Sequence, residues 1–121
     1  MNAAELRQRS KIFSLRVLRL VGALPNNVQG RAIGSQLIRS GMSVGANYRA
    51  ACKARSKAEF VAKIGVVEEE ADESVFWMEL IVESGMLREK VVESLLLEGR
   101  QLAAIMARSR ITAARSLKRK G

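Results

Sequence analysis

The chain of 121 residues contains no histidine, one cysteine, one proline and only five aromatic side chains (three Phe, one Trp, one Tyr). Each scarcity excludes something. Without histidine there is no neutral-pH base for a nucleophile and no His partner for the Glu-x-x-His pairs of carboxylate di-metal bundles. A single thiol, Cys52, forms no internal disulfide, which fits a reducing compartment, and with no base to activate it the residue reads as a small apolar packing group. One proline, Pro25, in a chain that is 48% hydrophobic argues against disorder and against a turn-rich β fold. No run approaches the roughly 18 apolar residues of a membrane span, and the N-terminus lacks a signal-peptide core, so a soluble, cytoplasmic protein is expected. Acidic residues are also few, 12 against 21 basic ones, a formal net charge of +9. That imbalance keeps a small protein soluble and attracts polyanions.

What is present is helical periodicity. The length suits one domain, and four segments are predicted as helices, at about 4–24, 29–53, 57–84 and 87–115, followed by a frayed basic tail over 116–121. The first puts Leu6, Phe13, Val17, Leu20 and Leu24 on one face and ends at Leu24-Pro25-Asn26-Asn27, because proline disfavours helix in the residue before it. The second carries an apolar stripe of Ile33, Leu37, Val44, Tyr48 and Ala51. Beside it runs a smooth ridge of Gly34, Gly41, Gly45 and Cys52. Each glycine costs about 1 kcal/mol of helix propensity relative to alanine, so the ridge implies a neighbouring backbone at close range. The third opens on a capping box, Ser56-Lys57-Ala58-Glu59, and repeats Phe60, Ile64, Val67, Ala71, Ser74, Met78 and Ile81 at heptad spacing up to Gly85. The fourth is expected to turn Val91, Leu95, Leu102, Met106 and Ala113 inward.

Short connections make sequential helices neighbours, so the predicted fold is all-α, an antiparallel up-down-up-down four-helix bundle. A three-helix array with one helix exchanged between chains is the alternative. Apolar residues are left on outer faces: Leu15 and Leu18, Ile38 and Met42, then Phe76 with Trp77 on its flank. This surplus predicts a homo-oligomer whose interface uses those six residues; isolated exposed hydrophobes on a monomer are the plainer reading.

The topology also gathers charge. Residues 1–11, 49–63 and 105–121 fall at one end of the bundle and hold 14 of the 21 basic residues and 2 of the 12 acidic ones. The expected backbone-contacting set for RNA or DNA is Arg7, Arg9, Lys11, Arg49, Lys53, Arg55, Lys57, Arg108, Arg110, Arg115, Lys118, Arg119 and Lys120, with Lys63 nearby. Such a cluster attracts phosphates without reading sequence, and the scarcity of aromatics argues against base stacking. A solvated basic face that serves solubility is the bland counterpart. The acidic run Glu68-Glu69-Glu70-Ala71-Asp72-Glu73 does not converge on an ion, since consecutive carboxylates point around a helix. It is expected instead to pair across helices, with Glu70 or Glu73 meeting Arg39, Ser43 or Asn47. No metal, cofactor or catalytic residue is predicted, because no spacing assembles a nucleophile, base and oxyanion donor.

The strings Gln36-Leu37-Ile38-Arg39-Ser40, Ser43-Val44-Gly45-Ala46-Asn47-Tyr48-Arg49-Ala50-Ala51, Ser56-Lys57-Ala58-Glu59-Phe60 and Glu68-Glu69-Glu70-Ala71-Asp72-Glu73-Ser74 resemble the bacterial four-helix-bundle family that includes proteins encoded in intervening sequences of 23S ribosomal RNA genes. The resemblance covers about residues 33–85, while the outer helices agree in pattern and length. It implies an antiparallel bundle and, as in known relatives, a ring of five subunits. A distant relative, the accessory protein of diversity-generating retroelements, is a basic pentameric barrel that binds nucleic acid and a reverse transcriptase. Many family members carry a glutamate after the asparagine of the second helix, where this chain has Arg49, Ala50 and Ala51. The resemblance supplies no catalytic residue. It favours a non-enzymatic nucleic-acid-binding accessory factor over the alternative, a structural or protein-interaction scaffold.

Overall fold

The computed structural model describes residues 1–120, with Lys120 described by its backbone alone. Four helices, α1 (Ala3–Gly22), α2 (Val28–Ala51), α3 (Lys57–Glu83) and α4 (Glu89–Lys120), follow one another with no strand among the described residues. Each packs antiparallel on its sequence neighbour, and α1 and α4 close the bundle at a wider separation. None of the helices is long and apolar enough to cross a membrane.

The ends of the helices follow local chemistry. Asn2 caps α1 by accepting from Glu5 N–H at 2.8 Å while its amide donates to the Glu5 carboxylate at 3.1 Å. Asn27 caps α2 through Gly30 N–H at 2.8 Å. Both are side chains that satisfy an orphan donor of the first turn. At α3 only the serine half of the expected box forms, Glu59 N–H to Ser56 Oγ at 3.1 Å. Gly85, at φ +78°, ends α3. Met86 N–H reaches Ile81 C=O and Gly85 N–H reaches Val82 C=O, the paired bonds for which a left-handed glycine is suited.

Two expectations fail in α4. The sequence predicts a frayed tail over 116–121, yet the helix continues through Lys120, and Gly121 lies outside the described residues. Ala113, Ala114 and Leu117 favour helix, and Lys and Arg suit the negative end of its dipole. The core phase also differs by one residue. Val91 is 52% exposed and Val92 is buried with Leu95, Leu102 and Met106, because the 92-95-99-102-106 repeat keeps a strict 3,4 spacing that 91 breaks.

The core is a continuous cluster led by Phe13, Val17, Leu37, Val44, Ile64, Met78, Leu102 and Met106. Three serines are buried in it. Ser74 Oγ donates to Glu70 C=O at 2.8 Å and lies 3.0 Å from Ser40 Oγ, which joins α3 to α2, and Ser10 Oγ donates to Arg7 C=O at 3.0 Å.

The glycine ridge of α2 faces α1. A Cβ on Gly41 would lie 2.6 Å from Val17 Cγ1, and one on Gly45 would lie 2.8 Å from Ser14 Oγ. In that gap the Ser14 hydroxyl donates to Gly41 C=O at 2.7 Å and accepts from Gly45 N–H at 3.1 Å. A side chain of α1 thus seats directly on the backbone of α2. Gly41→Ala should therefore destabilise the fold by about 1–3 kcal/mol, overpacking outweighing the gain in propensity. Gly65→Ala, where the nearest atom is Arg110 Cδ at 3.6 Å, should stabilise by about 0.5–1 kcal/mol. Urea unfolding of the two variants measures both.

Candidate nucleic-acid interface

Because the helices alternate in direction, the start of α1, the end of α2, the start of α3 and the end of α4 meet at one pole. Two grooves open there. The first, of about 560 Å³, lies between α1 and α2 and is lined by Ala4, Arg7, Gln8 and Lys11 from one helix and Gly45, Ala46, Arg49 and Lys53 from the other. The seating of Ser14 on Gly41 and Gly45 sets its width, and small residues make its floor. The second lies between the α2–α3 turn and α4, with Arg55, Lys57 and Arg108 on its walls and Phe60, Ser109 and Ser116 among its lining. Seven cations and no carboxylate line the two grooves. At the opposite pole, a groove between α3 and α4 is lined by Glu79, Glu83, Glu89 and Glu93 with a single cation, Arg100. The molecule is therefore electrically polar along its length.

The basic cluster is not uniform. In the α1/α2 groove, Arg7, Lys11, Arg49 and Lys53 make no side-chain hydrogen bond or ion pair to another described residue, and Arg7, Lys11, Arg49 and Lys53 are exposed. Two residues expected to contact phosphate are instead engaged within the fold. Arg9 makes a two-pronged pair with Glu98, both bonds 2.7 Å, and a third bond to Gln101 at 2.7 Å. Arg110 holds Glu68 through Nε at 2.6 Å and Nη2 at 3.5 Å. The partner carboxylate raises the pKa of each guanidinium and takes its donor fork. Lys57 Nζ donates to Ser116 Oγ at 2.6 Å, tying the start of α3 to the end of α4. Arg115, Lys118 and Arg119 are exposed on the last turns of α4, and Lys63 is half-buried. The side chain of Lys120 lies outside the described residues.

The pole is stepped. Arg9 meets Glu98 and Gln101, whereas Lys57 meets Ser116. From Arg9 to the first turn of α1 only about 9 Å of helix remains, while α4 runs on past Gln101 for about 28 Å, so its last turns overhang α1.

The expected polar network forms in part. Arg39 pairs with Glu70 at 3.3 Å and with Glu73, and Glu73 also accepts from Trp77 Nε1 at 3.0 Å. Ser43 and Asn47 do not reach these carboxylates. Asn47 Nδ2 donates to Ser43 Oγ at 2.6 Å and to Ser43 C=O at 3.0 Å, since residues four apart on one helix are closer to each other than to α3. Of the six outer apolar residues, Leu15, Leu18, Met42 and Phe76 are exposed, whereas Ile38 and Trp77 are half-buried. Trp77 meets the Phe76 ring edge-on at 5.0 Å. The Asn2 cap and the Ser14 bridge carry no pattern that apolar periodicity detects, although Asn2-Ala3-Ala4-Glu5 has the spacing of a capping box.

Tyr48 backs the α1/α2 groove. It is 4% exposed, and burial, reinforced by the neighbouring Cys52 thiol, pushes its pKa from 10.0 up to about 12, against the pull of Arg7. The folded chain therefore holds the phenolic proton where the unfolded chain has lost it, so this contribution to stability is intact below pH 10 and falls away towards pH 12. As the chain has one tyrosine, an ultraviolet titration reads it alone. The tyrosinate band should be absent from native protein at the pH that half-ionises the urea-unfolded chain.

A family model described as 23S rRNA-intervening sequence protein matches residues 3–108. Among solved structures, a protein from Bacteroides thetaiotaomicron, described as of unknown function and from the S23 ribosomal protein family, superposes with a TM-score of 0.78 at 29% sequence identity, covering 84% of this chain and 94% of that one. A comparison with curated proteins finds no match.

Proposed function

That the chain belongs to the 23S rRNA-intervening sequence protein family is the premise from which we propose its function: a non-enzymatic, homo-oligomeric bundle that binds the phosphate backbone of RNA or DNA through its basic pole, as an accessory to other machinery. The observation that carries this reading is the pair of grooves whose walls hold seven cations and no acid. Cations facing each other across a groove repel, and a polyanion relieves that repulsion while releasing its condensed counterions. The contacts fall on charge, and the one aromatic lining the two grooves, Phe60, is half-buried, so binding is to backbone rather than to base sequence.

Within the cluster the roles divide. Arg7, Lys11, Arg49 and Lys53 offer free charge in the α1/α2 groove, with Arg55 and Arg108 extending it past the α2–α3 turn. Arg9 and Arg110 serve the fold. The oligomeric part of the reading rests on Leu15, Leu18, Met42 and Phe76, four large apolar side chains each more than 40% exposed, a surplus that a covered interface removes. The same four residues favour the second reading, a protein-interaction scaffold whose charge serves solubility.

Fluorescence anisotropy with generic single-stranded RNA and DNA, repeated over a range of salt, separates the two. Binding should weaken steeply with salt. Arg7→Gln/Lys53→Gln should flatten the log–log salt slope by about 0.7 for each lost phosphate contact, and Arg9→Gln should leave the slope near wild type. No binding at low salt would leave the scaffold reading standing.

A further inference from the structure

The two grooves of the basic pole differ in what stands between their cations. In the α1/α2 groove the only uncharged side chain able to hydrogen-bond is Gln8. The second groove, at about 790 Å³ the roomier of the two, is lined by four hydroxyls as well as by Arg55, Lys57 and Arg108. Ser56 spends its oxygen on the cap of α3. The other three, Ser109, Thr112 and Ser116, recur along α4 at spacings of three and four, so they share one face of the helix and spread over about 10 Å of its length.

The protons of these three hydroxyls are unspent. A hydroxyl inside a helix readily donates to a carbonyl one turn back, as the buried Ser10, Ser40 and Ser74 do. Ser109 and Thr112, half-buried and exposed, make no hydrogen bond to another described residue. Ser116 accepts from Lys57 at 2.6 Å, and because an ammonium only donates, the Ser116 proton stays free. Lys57 stands at the level of Ser116, and Arg108 comes one residue before Ser109. Along the groove, therefore, a cation is followed by hydroxyls and then by a cation again.

That alternation matches a strand of phosphates joined by sugars that carry a hydroxyl. Guanidinium and ammonium groups take the phosphate oxygens, since their charge-assisted bonds outcompete those of a neutral hydroxyl, and the hydroxyls between them face the sugar. A ribose presents its 2′-hydroxyl there, a donor and an acceptor at once. A deoxyribose presents only C–H and gives the Ser109 and Thr112 donors no partner. We infer that the groove between the α2–α3 turn and α4 selects RNA over DNA by holding 2′-hydroxyls with Ser109, Thr112 and Ser116. The inference rests on the backbone-binding reading above and specifies its substrate; the α1/α2 groove, whose walls offer charge and no hydroxyl, serves either strand.

Changing the sugar at constant sequence tests the selection. Anisotropy at low salt compares a uridine-containing RNA, the same sequence built on deoxyribose, and 2′-fluoro RNA, which keeps the ribose pucker without the hydroxyl. RNA should bind about fivefold more tightly than DNA for each 2′-hydroxyl held, the equivalent of one ordinary net hydrogen bond, and 2′-fluoro RNA should bind as DNA does. Ser109→Ala/Thr112→Val should weaken RNA and bring the RNA-to-DNA ratio close to one while the salt slope is kept, since no charge is lost. Arg7→Gln/Lys53→Gln, in the other groove, should weaken both strands and keep the ratio. Equal affinity for RNA and DNA, 2′-fluoro RNA binding as RNA does, a ratio that survives Ser109→Ala/Thr112→Val, or an equal loss on both strands in that variant would overturn the selection and leave backbone binding in place. No binding to any of the three strands would overturn both. Should the double variant lose its helical circular dichroism, Thr112→Ala, at an exposed position where alanine favours helix, carries the test alone: it must lower the ratio, and a wild-type ratio refutes the selection.

Discussion

The fit of Ser14 into the glycine ridge of α2 is the constraint on which the rest of the molecule depends. A hydroxyl that bonds both Gly41 C=O and Gly45 N–H requires the α1 and α2 backbones to approach within a serine's length, and only residues without a Cβ permit it. Alanine at Gly41 would drive into Val17, itself fully buried. Close packing of this kind leaves little slack, so the spacing of α1 from α2 is held along their length. The consequence reaches the surface. The same spacing sets Arg7 and Lys11 across from Arg49 and Lys53 and gives the basic groove its small-residue floor.

Ion pairs then sort the remaining charge into fold and function. Arg9 to Glu98 joins α1 to α4, Arg39 to Glu70 and Glu73 joins α2 to α3, and Arg110 to Glu68 and Arg100 to Glu79 join α3 to α4. Pairs at the surface contribute little energy each, about 0–1 kcal/mol. Their effect is on register, and on which charges are left over. Unpaired cations crowd one pole with few acids near them, whereas at the other unpaired carboxylates mix with Arg19, Arg31, Arg88 and Lys90, and along the outside of α3 the carboxylates stand without cations. A chain of net charge +9 thus presents two surfaces of opposite sign, which a uniform basic coat would not do.

Much of the architecture was legible in the residues. Heptad spacing in α3, Ser56 at its start, Gly85 after its last turn and Pro25 after the first helix follow from local rules whose range is a turn or two. The glycine ridge was legible too, because three glycines in one helix cost stability unless something comes close. The errors fell where a local rule met a tertiary one. Val91 and Val92 are chemically the same, and the 3,4 repeat that turns Val92 inward passes through Gly99, which reads as core only where Phe13 and Val75 pack against it. The end of α4 looked solvated, yet Ser116 is bound by Lys57 from a helix remote in sequence. Ser43 and Asn47 sat at the right height for Glu70 but spent their hydrogen bonds on each other.

The polyanion-facing set shows the division most plainly. That basic residues gather at one pole was determined by the chain itself, since alternating helices bring segments 1–11, 49–63 and 105–121 together whatever their packing. Which of those cations stay free was decided only by the tertiary structure. Arg7 and Arg9 are two residues apart with the same chemistry, but a rotation of two residues about a helix points one into the α2 groove and the other at Glu98 on α4. No property of a lone helix records where a carboxylate of another helix will stand.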